Sequence, residues 1–70
     1  MIASLIETLT QITINAYQIN DEITEQFVLK AVKDQEIHDK LDGLAFEDYC
    51  YVMDVVFDDA SNAIYGNPLD

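Results

Sequence analysis

Five carboxylates punctuate the stretch EDYCYVMDVVFDDASN, from Glu47 to Asn62, and no Lys, Arg or His accompanies them. Asp54 and Asp58 stand four residues apart, which makes them neighbours on a helix. A neighbouring carboxylate pair could in principle divide acid and base work. Nothing beside the pair suggests a nucleophile, and a chain of 70 residues has little room to enclose a substrate. We therefore expect no enzyme and assign no catalytic residue.

Other reactive residue types are equally isolated. His38 precedes Asp39, but no second histidine exists to complete a metal site, and a lone histidine there is read as a surface residue. Cys50 is the only cysteine, so no intrachain disulfide can form and no zinc-type cluster can be assembled. It falls on the apolar face of its segment and is read as a small buried hydrophobe. The piece DVVFDDASN lacks the alternating acids and the turn glycine of a calcium loop. No Asp-Ser-Leu attachment site for a carried prosthetic group is present. We expect neither a cofactor nor a metal.

The bulk composition narrows the partner. Fourteen acids face three lysines, for a formal charge of −11. Such a chain repels nucleic acid, whose binding requires cations that displace counterions. It also repels anionic membrane surfaces. Its field suits a basic protein surface. Half of the residues are apolar, which is generous for this length and allows a homodimer as well as a well-packed monomer. The opening MIASLIETLTQ has no basic leader region and carries Glu7 early. No apolar run is long enough to span a bilayer. A cytoplasmic location is the expectation.

The elements that must position these acids are helices. Ile2, Leu5, Ile6, Leu9, Ile12 and Ala16 recur at three and four, which predicts a helix over about 2–17; Ile14 falls off that face. Asn20 and Asp21 offer an N-cap for a second helix over about 21–33, with Ile23, Phe27, Val28, Ala31 and Val32 inward. Ile37 and Leu41 would lie on another face of that helix. A bend near Asp34 is therefore expected, followed by a short helix over 35–42 with Gly43 at its C′ position. A third long helix is predicted over about 45–65, with Phe46, Tyr49, Cys50, Met53, Val56, Phe57, Ala60 and Ile64 inward and Gly66 and Pro68 ending it. The expected fold is all-α: a small bundle of three long helices plus the short one, forming a single acidic domain over 1–70.

On the last helix, at about 100° per residue, Glu47, Asp54 and Asp58 fall within an arc of roughly 40°. Tyr51 and Asn62 lie beside this row, and Asp48 and Asp59 form a second row on the other flank. Carboxylates about 5–6 Å apart are spaced broadly like the phosphates of a nucleic-acid strand. An acidic solvent face also keeps a small apolar protein in solution. A helix that serves solubility alone usually mixes signs and gains from pairs at i,i+4. Here the signs are unmixed, and Asp58 and Asp59 stand against the helix dipole.

The sequence thus leads to Glu47, Asp48, Tyr51, Asp54, Asp58 and Asp59 as partner-binding residues. The function expected is that of a phage- or plasmid-type inhibitor, which presents a carboxylate-rich helix to a nucleic-acid-handling protein as a mimic of nucleic acid. The alternative is an immunity protein, antitoxin or accessory subunit that grips one partner through a helical surface, with Val55, Ile14 and Tyr51 as apolar anchors.

Overall fold

The computed structural model describes residues 2–66, and every regular element among them is a helix. Helix α1 covers Ile2–Ala16, α2 Glu25–Ala31, α3 Gln35–Asp42 and α4 Phe46–Tyr65. The small all-helical bundle expected from the periodicity is present. The second helix is the main difference, because it has 7 residues where a long helix over 21–33 was expected.

Side-chain hydrogen bonds explain that shortening. The Gln18 N–H donates to Asp21 Oδ2 at 2.9 Å, and the Asp21 N–H returns a bond to the Gln18 carbonyl at 3.0 Å. Asn20, between them, has a φ of +78°, a left-handed conformation that asparagine tolerates better than most residues. Asp21 therefore closes a turn instead of capping a helix. Thr24 caps α2, its Oγ1 accepting from the Phe27 N–H at 3.1 Å.

The bend near Asp34 is as expected. Asp34 Oδ1 accepts from the Glu36 N–H at 2.9 Å and starts α3. His38, half-buried and not the surface residue anticipated, has Nε2 2.9 Å from the Val32 carbonyl. That bond occupies a carbonyl at the end of α2, where no helical partner remains, and it ties α3 to α2. Gly43 is the C-cap in a right-handed conformation with φ −82°, so it does not occupy the left-handed C′ position. Helix α4 ends at Gly66, whose φ of +82° and ψ of 173° are glycine-only territory. Pro68, the second expected stop, lies outside the described residues.

One hydrophobic cluster draws on all four helices: Leu5 and Leu9 from α1, Val28 from α2, Leu41 from α3, and Val52, Met53 and Val56 from α4, with Val32 from the α2–α3 bend. The C-terminal ends of α1 and α4 meet where the Tyr17 and Tyr65 hydroxyls lie 2.9 Å apart. Near the other end, Ile2 at the start of α1 and Leu44 just before α4 line one pocket. The two long helices therefore run in the same direction, and α2 and α3 carry the chain back between them. The Tyr49 hydroxyl donates to the Glu25 carboxylate, which fastens the first half of α4 to the start of α2.

The buried face of α4 is turned relative to the expected one. Val52, Met53, Val56 and Ala60 are buried, whereas Tyr49, Cys50, Phe57 and Ile64 are only half-buried and Phe46 is 79% exposed. At about 100° per residue this is a rotation of roughly 50°. Val52 joins Leu9 and Val28 in the buried cluster, all three fully buried, and Phe46 is not part of it. In α1, Thr13 is fully buried although it is polar.

Candidate partner-binding face

The rotation of α4 decides where its acids go. With the buried face centred between Val52 and Ala60, the row of Glu47, Asp54 and Asp58 falls roughly 165° away at about 100° per residue. The row thus lies on the side of the helix directly opposite the core, where the sequence placed it beside the apolar stripe. All three are exposed, as are Asp48 and Asp59.

Tyr51, Asp54 and Asp58 are brought together. They line an open depression of about 640 Å³ with Val55, Phe57 and Ser61. Tyr51 is 57% exposed at the edge of the acids. Phe57, half-buried and packed against the core cluster, also lines this depression. Ser61, absent from the sequence-based candidates, stands three residues after Asp58 and seven after Asp54, and that spacing carries the signal for it.

The other candidates stand apart. Glu47 is on the same row but lies nearer the start of the helix, one turn before Tyr51. Asp48 and Asp59 lie on the flank, separated from the row by Tyr51, Val55 and Asn62. Asp59 faces α1, where it lines a separate groove with Glu7, Thr10 and Gln11. Glu7 is thus an acid of this surface that was missed, because its neighbourhood with Asp59 depends on how α1 packs against α4.

Of the three apolar anchors expected from sequence, Tyr51 is exposed, and the other two need correction. Val55 and Ile14 are half-buried. The large apolar side chains most open to solvent are Ile19 at 87%, Phe46 at 79% and Tyr65 at 64%. Ile19 sits in the turn before α2, and Phe46 and Tyr65 occupy the two ends of α4.

The electrostatics of the α4 face are of one sign. Among the described residues, no side-chain hydrogen bond engages Glu47, Asp48, Asp54, Asp58 or Asp59; those that involve acids use Asp21, Glu25, Asp34 and Asp39. The three lysines lie at 30, 33 and 40, none of them on α4. Among the described residues no group of three or more His, Cys, Asp or Glu is placed to hold a metal ion. Among the described residues, no helix is long and apolar enough to cross a membrane. No protein-family model matches the chain, and neither does any curated protein or any solved structure.

Proposed function

We propose that this chain is a small acidic binding protein that inhibits a nucleic-acid-handling protein by offering α4 as a mimic of nucleic acid. The observation that carries this is the arrangement of Tyr51, Asp54 and Asp58 around one open depression on the side of α4 opposite the core. No described hydrogen bond occupies those carboxylates, so their lone pairs are available to Lys and Arg of a target. Glu47 extends the row, and Asp48 and Asp59 widen the negative field. Tyr51 supplies an amphipathic ring of the kind that anchors interfaces. The partner is a basic protein surface; catalysis, cofactors and direct contact with nucleic acid form no part of the function.

The experiment is capture from a bacterial lysate on the immobilised protein, eluted with a salt gradient, beside the Asp54→Lys/Asp58→Lys double variant. A nucleic-acid-binding protein retained by the wild type, lost by the variant and displaced by DNA is the expected result. Retention that survives both the variant and high salt contradicts it.

A second function is favoured by a different observation, the exposure of Phe46 and Tyr65 at the two ends of α4. An immunity protein, antitoxin or accessory subunit would use these rings as its anchors. Alanine at Phe46 or Tyr65 would then weaken capture more than reversal of the two aspartates.

A further inference from the structure

We infer that the gap between α1 and α3 is a binding site for a small amphipathic carboxylate, a medium-chain fatty acid in chemical class. This goes beyond the function proposed for α4 and does not depend on it. The gap exists because the two short helices are fixed elsewhere. Leu41 anchors α3 in the core, His38 ties it to the end of α2, and α1 spends Leu9 and Thr13 on the buried side. The first two turns of α1 and the inner side of α3 are left facing each other across a pocket of about 390 Å³. That is within the usual range of small-molecule sites.

The lining has two chemistries. Ile2, Leu5, Ile37 and Leu44 form an apolar wall, while Lys40 and the hydroxyls of Ser4 and Thr8 stand at its exposed edge. The chain has fourteen acids and three lysines, yet this lining contains a lysine and no acid. Glu36, one turn before Lys40 on α3, does not line it, and neither do Asp39 and Asp42. The exposed acids of the α4 face, by contrast, oppose an anion. In the pocket a carboxylate can accept from the Lys40 ammonium and the two hydroxyls while an alkyl chain covers the aliphatic wall. Lys40 takes part in none of the described side-chain hydrogen bonds, so no internal partner has to be displaced.

The test is titration of the ¹⁵N-labelled protein with octanoate, hexanoate and 1-octanol. Saturable amide shifts centred on Ser4, Thr8, Lys40 and Leu44 are expected with octanoate, and hexanoate should bind more weakly by about fourfold for each methylene removed. Lys40→Gln should weaken octanoate about tenfold or more, the scale of a charge-assisted hydrogen bond, while leaving 1-octanol unchanged; Lys40→Arg should restore much of the loss. Thr8→Phe, at the exposed edge of the pocket, should block both ligands without unfolding the protein. Absence of saturation in the wild type overturns the site. So do shifts centred on Tyr51 to Ser61, or octanoate binding that is indifferent to both Lys40→Gln and Thr8→Phe.

Discussion

The hydroxyls of Tyr17 and Tyr65 lie 2.9 Å apart, and their rings meet edge to face with centroids 5.9 Å apart. These two residues are separated by 48 positions, and they join the end of α1 to the end of α4. Beyond Tyr65 the helix stops at Gly66, so this pair, with the half-buried Ile64, holds the last turn down. In Tyr65→Ala, amide exchange should accelerate in the final turn of α4 and after Ala16, while the amides around Val52 and Val56 keep their protection. Tyr65→Phe, which retains the ring but not the hydroxyl, should fall between the two. Uniform acceleration along the whole helix would show that the pair supports the entire fold.

Alkaline pH should reach the second tyrosine link. Burial, and then the hydrogen bond to Glu25, push the Tyr49 phenol from its ordinary 10.0 up to about 12. In the unfolded chain the same phenol ionises near 10. Folding thus favours the protonated form. The contribution is complete below pH 10 and is lost as the pH climbs through 12. Tyr17 moves in the same direction, chiefly through its hydrogen bond with Tyr65. The urea midpoint should fall between pH 10 and 12, and Tyr49→Phe should make that fall shallower. An equally steep fall in the variant would place the titration elsewhere.

The rotation of α4 makes a sharp contrast between two apolar residues. Val52 is fully buried and Phe46 is 79% exposed. Val52→Ala should cost about 1.5–3 kcal/mol, from lost burial plus the cavity left behind. Phe46→Ala should stay within about 0.5 kcal/mol, as surface changes do. Urea unfolding measures both. A chain this small commands only about 3–5 kcal/mol in total, so the first variant should be visibly marginal. The opposite order would restore the face expected from periodicity alone.

Thr13 is the polar exception in the core. It is fully buried, and its Oγ1 has no hydrogen-bond partner among the described residues. Valine has nearly the same shape without the hydroxyl, and a buried unpartnered polar group carries a penalty of about 1–3 kcal/mol. Thr13→Val should therefore raise the urea midpoint. A lower midpoint would mean that the hydroxyl is satisfied in solution.

Local signals were legible in the sequence, and relations between elements were not. Asp34 and Gly43 bracketed α3 because a cap and a terminator act on their own segment. The limits of α4 followed in the same way from its period and from Gly66. The start of α2 did not, because Asp21 and Thr24 are both capping residues. The choice between them was made by Asp21 accepting from Gln18 in a turn. The inward direction of α4 does not follow from its period, because apolar residues spread over more than one face of this helix and which of them is buried, Val52 or Phe46, depends on the packing of the other helices. For the candidate face, the row of Glu47, Asp54 and Asp58 could be read from spacing alone. That Asp59 turns toward Glu7, and that Tyr51, Phe57 and Ser61 frame the depression, required the packing of α4.

If the exposed carboxylates of α4 stand in for phosphates, as proposed, binding of the target must depend on salt. For the nucleic-acid-binding protein captured on the wild type, the dissociation constant should be measured at about 50 and about 200 mM salt, where the Debye length shrinks through the ~10 Å range. The predicted result is affinity that weakens steeply with salt, a slope that flattens in Asp54→Lys/Asp58→Lys, and direct competition by DNA. Affinity unchanged by salt, or a double variant that binds as the wild type does, would contradict it and leave those acids as a solvated surface.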